Sequence, residues 1–241
     1  MIEDEQRLKI LLYLEYHGGC LHPVSFQLMQ AAFSLGGKLA PLLYGAVIGA
    51  SVDSVRRQLK GYPLEQVFLY DSEESYLHDT YTQLMVECIR AVDPSIVLVG
   101  GTREGRALSP AVSTALNTGL TADCTDLQLR NYDDLVQIRP AYGGNLMAQI
   151  VTPFARPQMA TVRYNQYPAL KAGQDNSSMP ECIHVDATAL ESAVEILDVE
   201  KLTDNTGTLE SDVIVVAGRG VREKSDLELL EVLAERTGGV L

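Results

Sequence analysis

The sequence predicts an α/β protein built on an open, Rossmann-like parallel sheet, and three observations support this fold class. The chain of 241 residues is 46% hydrophobic, which is enough to bury a large core. Segments such as LLYGAVIG and SIVLVG are apolar almost throughout and end at glycine. Amphipathic helical segments alternate with them. Because helices cover both faces of a parallel sheet, its strands lack the polar alternation of half-exposed strands.

The elements of this sheet can be placed in order along the first hundred residues. The predicted strands are residues 8–16, 39–49, 65–71 and 95–100. The predicted helices are residues 23–36, 52–61 and 75–93, the last followed by Pro94. In this third helix Leu77, Tyr81, Leu84, Cys88 and Val92 lie at helical spacing, which predicts one apolar face.

Beyond Leu120 the pattern changes to strand alternation, turn dipeptides and prolines, which predicts a short antiparallel extension. Its expected strands are residues 127–130, 135–139, 146–151 and 158–162, with the first turn at 131–134. The first domain is therefore assigned to residues 1–165.

The remainder of the chain predicts a linker and part of a second domain. Residues 166–182 are polar and rich in turn residues, as in a linker. Residues 183–241 are expected to be the incomplete start of a second α/β domain, with a strand at Asp212–Gly218. A helix with an apolar face follows, carrying Leu227, Leu230, Leu233 and Ala234.

Charge and cysteine content exclude several kinds of partner. Lys and Arg number 19 against 32 acidic residues, a net charge of −13, whereas binders of nucleic acid or anionic membranes need a basic surface. No apolar run has membrane-spanning length and the opening residues are acidic, so we expect a cytoplasmic protein without a signal peptide. The four cysteines lack zinc-site spacing, which predicts reduced thiols and no metal centre.

The loop Gly100–Gly105 is the first candidate site. It joins an apolar strand to a helix and contains Gly100, Gly101, Thr102 and Gly105, followed by Arg106. Free N–H groups and the helix dipole favour an anion at such a position, so the loop could hold a phosphate. The alternative is that the glycines only permit a tight turn, with Arg106 paired to an acidic neighbour. No Lys-Ser or Lys-Thr pair follows the last glycine, so the full P-loop pattern is absent.

A second turn between a predicted strand and a helix contains Gly218, Arg219 and Gly220. An arginine beside free backbone donors can bind a pyrophosphate through two parallel hydrogen bonds. Alternatively, Arg219 caps a carbonyl group or pairs with Glu223 or Asp226. The first interpretation is favoured, which makes these three residues the candidate cofactor contacts.

The segment with Arg139, Tyr142, Gly143, Gly144 and Asn145 is either a simple hairpin turn or the rim of a partner interface, where Tyr and Arg are enriched. The histidines beside Cys20 have no recognisable carboxylate partner and predict a polar loop. No catalytic set of nucleophile, base and acid is recognisable. A carrier whose cofactor supplies the chemistry fits better than a stand-alone catalyst.

Five segments, in this order, resemble the alpha subunit of electron transfer flavoprotein over nearly the whole chain. They are HPVS, GGTREGRALSPAVSTALNTGLTADCTDL, IRPAYGGNLMAQI, RPQMATVR and VIVVAGRGV. The resemblance implies a first domain with an adenine nucleotide alpha hydrolase-like sheet, and a second domain that holds most FAD contacts. It also implies that Arg219 lies near the FAD diphosphate.

The resemblance further implies a heterodimer with a beta subunit. Through FAD, the heterodimer would carry electrons from an acyl-CoA dehydrogenase-type enzyme, as in fatty acid β-oxidation, to a downstream acceptor. The subunits would meet across extensions that include Arg139–Asn145. The family's adenine nucleotide lies in the beta subunit, so Gly100–Gly105 is expected to have the shape of a phosphate loop without its ligand. Later flavin-binding motifs are not found in these 241 residues, so we expect weak or absent FAD binding by this chain.

Two further expectations concern an alternative function and self-association. The alternative function is a stand-alone adenine-nucleotide sensor of the same α/β superfamily, with its nucleotide at Gly100–Gly105. In addition, the apolar strand and helix within residues 211–241 are expected to lack cover. We therefore expect the chain to self-associate through these residues, or to be held in a complex through its first domain.

Overall fold

The computed structural model describes residues 7–36, 41–72, 76–173, 179–188, 190–200 and 211–241. Its strands are β1 (Lys9–Tyr13), β2 (Tyr16–His17), β3 (Cys20–Leu21), β4 (Leu42–Gly49), β5 (Gln66–Asp71), β6 (Ile96–Gly100), β7 (Leu120–Cys124), β8 (Asp126–Arg130), β9 (Asp134–Ala141), β10 (Leu146–Ile150), β11 (Gln158–Val162) and β12 (Glu181–Asp186). Its α-helices are α1 (Pro23–Gly36), α2 (Val55–Gln58), α3 (His78–Val92), α4 (Arg103–Ala115) and α5 (Lys224–Thr237).

Seven strands form one sheet in the order β12-β5-β4-β1-β6-β11-β7. Every pairing within it is parallel, and β1 lies in the middle between β4 and β6. This arrangement confirms the predicted fold class. The first two residues of the strand predicted over 39–49 lie outside the described residues.

Side chains of β1 alternate between two cores, one on each face of the sheet. Ile10 and Leu12 pack into the core that contains Leu28 of α1. Leu11 and Tyr13 pack into the opposite core, with side chains of α3 and α4. Both faces are therefore buried, which explains why the strand sequence is apolar at consecutive positions.

The antiparallel extension contains three strands, in the order β10-β9-β8, rather than the four expected. The assignment of residues 158–162 to it is wrong, because this segment is β11, buried between β6 and β7 of the main sheet. Its first residue, Gln158, is polar, but its side chain is satisfied internally. Gln158 Oε1 accepts a hydrogen bond from the Leu135 N–H at 2.9 Å, and Nε2 donates to the Asp133 carbonyl at 2.6 Å.

Two further strands of the main sheet differ from the sequence analysis. The edge strand β7 was not anticipated, because its sequence LTADC is neither continuously apolar nor regularly alternating. Residues 181–186, assigned to the end of the linker and the start of the second domain, form β12, which pairs in parallel with β5 over six residues. The chain divides into compact units at Met1–Glu195 and Ile196–Leu241, so the first unit extends past the expected boundary at residue 165.

The second unit contains α5 and little other regular structure among its described residues. Ile214 and Val240 form an isolated parallel bridge. The segment Asp212–Gly218, predicted as a strand, therefore contains only one bridge residue, Ile214, among its described residues. The predicted helix is confirmed as α5. Among the described residues, no helix combines the length and the apolar character needed to cross a bilayer.

Candidate functional site

The strand order of the main sheet reverses between β1 and β6, since β4 and β5 lie on one side of β1 and β6 lies on the other. In open parallel sheets, the carboxyl ends of strands at such a switch point border the ligand crevice. The residues after β1 and the loop after β6 therefore lie at the expected place for a site. The loop is the segment Gly100–Gly105 that the sequence analysis selected.

Glu15, just after β1, is 4% exposed and occupies the N-terminus of α4. Thr102 Oγ1 donates a hydrogen bond to Glu15 Oε2 at 2.5 Å. Thr102 Oγ1 also accepts a hydrogen bond from the Gly105 N–H at 3.0 Å, which makes Thr102 the N-cap of α4. A carboxylate of the protein itself therefore lies where an anion would approach the helix.

His17 connects this carboxylate to a second one. Its Nε2 lies 3.2 Å from Glu15 Oε1 and 3.5 Å from Glu104 Oε2. Glu104, in the first turn of α4, also accepts a hydrogen bond from the Tyr13 hydroxyl. We call Tyr13, Glu15, His17, Thr102 and Glu104 the switch-point cluster. The expectation that His17 has no carboxylate partner is therefore wrong.

The pKa values of the two carboxyl groups of the cluster are shifted in opposite directions. Burial raises the pKa of Glu104, and the hydrogen bond from Tyr13 with the charge of His17 offsets this only in part. Burial also acts to raise the pKa of Glu15, but hydrogen bonds from His17 and Thr102 outweigh it and lower the pKa. The hydrogen bond to Glu15 raises the pKa of His17 against burial. The cluster thus favours an ionised Glu15, a protonated His17 and a Glu104 that binds a proton readily.

The glycines of the loop are required by close packing. A Cβ atom at Gly105 would lie 2.0 Å from the Gly100 carbonyl oxygen, and one at Gly100 would lie 2.7 Å from Val24 of α1. Arg106 donates through Nε to the Thr102 carbonyl at 3.1 Å and, within the described part of the chain, forms no salt bridge with an acidic side chain. This geometry favours the tight-turn interpretation over a phosphate cradle.

The predicted interface residues lie at the tip of the hairpin between β9 and β10. Tyr142 is 82% exposed and Gly143, Gly144 and Asn145 are also exposed, while Arg139 in β9 is half-buried. The segment therefore forms the exposed turn of a hairpin. Leu146 and Met147 of β10 are 59% and 56% exposed, so the turn leads into an apolar edge strand.

The predicted cofactor contacts do not form a cradle. Gly218, Arg219 and Gly220 are exposed, and a Cβ atom at either glycine would meet nothing within 4 Å. Among the described residues Arg219 forms no ion pair with Glu223 or Asp226. The described residues thus supply a turn but no enclosed flavin site. No group of three or more His, Cys, Asp or Glu in the described chain is arranged to hold a metal ion.

Sequence reasoning missed the switch-point cluster as a unit. Its members come from two segments whose contacting residues, such as Glu15 and Thr102, are 87 positions apart. One signal was available: Glu15 interrupts an apolar strand end, LYLEYH, and is followed two residues later by His17. A carboxylate at the carboxyl end of a central parallel strand is a candidate site residue.

Comparison with known proteins places the chain in a family. Residues 10–200 match the model of the electron transfer flavoprotein domain. The lactate dehydrogenase (NAD(+),ferredoxin) subunit LctC of Acetobacterium woodii is 37% identical over 96% of this chain and 56% of its own length. FixB of Clostridium saccharobutylicum is 35% identical, and the electron transfer flavoprotein subunit alpha of Thermoanaerobacterium thermosaccharolyticum is 33% identical.

Those two relatives are covered over 70% and 71% of their lengths, again by 96% of this chain. The chain therefore spans little more than half of LctC and about two thirds or more of the others. The order of motifs, the parallel sheet and these matches agree. The chain belongs to the electron transfer flavoprotein family, and its relatives there include proteins named as alpha subunits.

Proposed function

We propose that the chain is the alpha chain of a heterodimeric, FAD-dependent electron carrier of the cytoplasm, and that its first unit is a scaffold that docks a beta subunit. The observation that carries the proposal is the exposed apolar edge formed by β10. Leu146, Met147 and Ile150 are exposed there beside Tyr142. Large exposed apolar patches mark interaction sites, and aromatic residues and methionine are enriched at interface centres.

The backbone of β10 adds to this argument. It lies at the edge of the three-stranded sheet, and among the strands that the structure describes only β9 pairs with it. An edge strand leaves backbone N–H and C=O groups free to pair with another chain. A beta subunit could therefore bind through both apolar side chains and backbone hydrogen bonds.

The switch-point cluster argues against the alternative function, a stand-alone adenine-nucleotide sensor. A phosphate at the α4 N-terminus would have to displace the Glu15 carboxylate from Thr102, and would meet a second carboxylate at Glu104. Two acidic groups at one site repel an anion. The first unit therefore favours a structural role, with the cofactor chemistry located elsewhere.

For the flavin we propose a single contact from the described residues. Arg219, in its glycine turn, would pair with the diphosphate of FAD in the whole protein. FAD would supply the electron transfer. Because the turn is open and has no surrounding cradle, we expect this chain alone to bind FAD weakly or not at all.

Two classes of dehydrogenase are candidates for the electron donor or acceptor. The family resemblance favours an acyl-CoA dehydrogenase-type enzyme. The 37% identity to LctC, whose name assigns it to a lactate dehydrogenase that uses NAD(+) and ferredoxin, favours an enzyme of that kind as a second candidate.

We also propose that residues 211–241 can self-associate when no partner covers them. Val216, Leu229, Val232 and Leu233 are exposed there. Apolar side chains at this density are covered by a partner or associate with one another. A deletion of residues 205–241 should then abolish self-association and leave beta-subunit binding intact.

Co-expression with a beta subunit tests the docking proposal. We expect the two chains to co-elute in size-exclusion chromatography and the complex, but not the chain alone, to show flavin absorbance. Leu146→Asp should weaken binding more than 10-fold. Phe33→Asp changes an apolar residue of similar exposure on α1 and serves as the control, with unchanged binding expected.

Three results would contradict the proposal. Equal affinities of Leu146→Asp and Phe33→Asp would exclude the hairpin as the docking surface. Purification of the chain with stoichiometric adenine nucleotide and no affinity for a beta subunit would favour the sensor. Purification of the chain alone with stoichiometric FAD would show that its flavin site is more complete than the described residues indicate.

A further inference from the structure

The carboxyl end of β7 is irregular, and the irregularity directs Asp123 toward an arginine. The pairing of β7 with β11 shifts register between Ala160 and Val162. Asp123 has a left-handed backbone, with φ of 63°, and its N–H donates to Thr161 Oγ1 at 2.8 Å. Such irregularities occur where a side chain is re-aimed at a sheet end.

The re-aimed carboxylate forms a two-pronged ion pair. Arg163, the residue after β11, donates through Nε to Asp123 Oδ1 at 3.0 Å and through a terminal nitrogen to Oδ2 at 2.6 Å. Both side chains are half-exposed. The pair therefore holds the Arg163 guanidinium in a fixed orientation at the surface.

The charges of two more arginines, on other elements, also act on this carboxylate. The hydrogen bond from Arg163 is the main reason that the pKa of Asp123 is lowered, and the charges of Arg139 in β9 and Arg106 in α4 lower it further. Among the residues that the structure describes, neither Arg106 nor Arg139 has an ion-pair partner. The charges of three guanidinium groups thus act on one carboxylate, a local excess of positive charge over that carboxylate on a chain of net charge −13.

The position of this charge is set by the topology. β6, β11 and β7 are neighbours in the sheet, and Arg106, Arg163 and Asp123 follow or end these three strands. Arg139 lies three residues before Tyr142, so the basic surface continues into the exposed hairpin.

We propose that Arg106, Arg139 and Arg163 form a docking surface, here called the arginine surface, for an acidic segment of the beta subunit. The inference rests on the proposed function, since it names a second point of contact for the same partner. Complementary charges beside an apolar contact accelerate encounter and fix its register. The occupant is a protein carboxylate, to which an arginine can present two parallel donors.

A small anion fits this surface less well than an acidic segment does. The three arginines are exposed or half-exposed. At the N-terminus of α4, the Gly105 N–H is already bound to Thr102. A free phosphate would therefore meet guanidinium groups on one side and water on the other, without the backbone donors of a built phosphate site.

The test measures the association rate of the full chain with its beta subunit at low and high salt. The variants are Arg139→Glu and Arg106→Glu, with Arg90→Glu as the control. Arg90 lies in the last turn of α3, which ends just before the amino end of β6, whereas Arg106 follows the carboxyl end of that strand. Arg90→Glu changes the net charge by the same amount. Thermal unfolding verifies that each variant is folded.

We expect Arg139→Glu and Arg106→Glu each to slow association about 3- to 10-fold at about 30 mM salt, because each removes an attractive charge from the rim of the contact and adds a repulsive one. The control should slow it less than about 2-fold. At about 1 M salt the Debye length falls to about 3 Å, so the differences should disappear. Arg163→Gln removes one charge without a reversal and should give a smaller effect of the same salt dependence.

The possible failures are distinguishable. If the unmodified chain does not bind the beta subunit, the proposed function is refuted and the arginine surface with it. If it binds and all variants associate at the same rate across the salt range, the arginine surface alone is refuted. Calorimetry with inorganic phosphate and with AMP tests the small anion. The proposal would also be overturned if phosphate or AMP bound the unmodified chain at micromolar concentration and Arg139→Glu abolished this binding. In that case Arg139→Glu would leave the rate of association with the beta subunit unchanged.

Discussion

Replacement of Glu15 by alanine should destabilise the first unit by an amount that the contacts of its carboxylate set. The hydrogen bond from Thr102 to this buried carboxylate, 2.5 Å long, is expected to contribute about 1.5–3 kcal/mol, as hydrogen bonds to charged groups do. The bond to His17 contributes less, about 0.5 kcal/mol, because the His17 side chain is 56% exposed and water replaces the lost partner. The expected loss of unfolding free energy is about 2–3.5 kcal/mol, the sum of the two.

A loss of this size is measurable by urea unfolding followed by circular dichroism and by calorimetry. For a chain of this length each kcal/mol shifts the melting temperature by about 2–4 °C, so Glu15→Ala should melt about 4–14 °C lower. Thr102→Ser keeps the hydroxyl group and should lose little. Thr102→Val removes both the carboxylate partner and the α4 cap.

A double-mutant cycle isolates the pair. If the hydroxyl of Thr102 and the carboxylate of Glu15 act together, the double variant Glu15→Ala with Thr102→Val should be less destabilised than the sum of the single variants by about 1.5 kcal/mol or more. Additivity within about 0.5 kcal/mol would refute the reasoning. It would mean that the carboxylate is not held at the helix terminus as the hydrogen bonds indicate.

Three further predictions follow from the geometry of the loop and the turn. Gly105→Ala should prevent folding or cost more than about 3 kcal/mol, because its Cβ would lie 2.0 Å from the Gly100 carbonyl oxygen, whereas Gly218→Ala meets nothing within 4 Å and should be nearly neutral in the same urea titration. Burial raises the pKa of Glu104, so its contribution to stability is present below its unfolded pKa and is lost as the pH rises through its folded pKa. Glu104→Gln keeps an acceptor for Tyr13 but cannot ionise. Its free energy of unfolding relative to that of the unmodified chain should therefore increase from pH 4.5 to 8.5. A difference in free energy that stays constant over this pH range would exclude this account. Finally, titration of FAD into the chain alone should give no saturable quenching of flavin fluorescence at micromolar protein, and stoichiometric binding would contradict the prediction.

Local sequence patterns were sufficient for the elements whose environment is uniform. β4 and β6 are buried on both faces and their sequences are apolar almost throughout. α3 places its apolar residues on one face, with Pro94 just after its end. In each case the pattern of the segment itself determines its structure, so no knowledge of its neighbours was needed.

Pairing between distant segments was harder to predict. The sequence of β11 predicts a strand, but its neighbours β6 and β7 are set by the whole sheet and not by the segment. Gln158 added to the difficulty, because its buried amide is satisfied by backbone groups of Asp133 and Leu135. The partners of such a buried polar side chain lie in another segment, so the sequence of β11 alone does not reveal them.

The candidate site was predicted in place but not in content. Gly100–Gly105 lies at the switch point of the strand order, where ligand sites of open parallel sheets are expected. The residue that lies against this loop, Glu15, is placed there by the pairing of β1 with β6. This pairing brings together Glu15 and Thr102, which are 87 positions apart in the sequence. Spacing along the chain cannot reveal such a contact.

The position of the antiparallel sheet in the chain has a further consequence. Strands β8, β9 and β10 connect β7 to its parallel neighbour β11, a connection that an α-helix usually makes. A helix satisfies nearly all of its own backbone groups, whereas a strand meander leaves one edge unsatisfied. The same polypeptide that closes this part of the sheet thus also supplies a strand that another protein can extend. A partner that paired with β10 would be linked through this connection to β7, the edge strand of the main sheet.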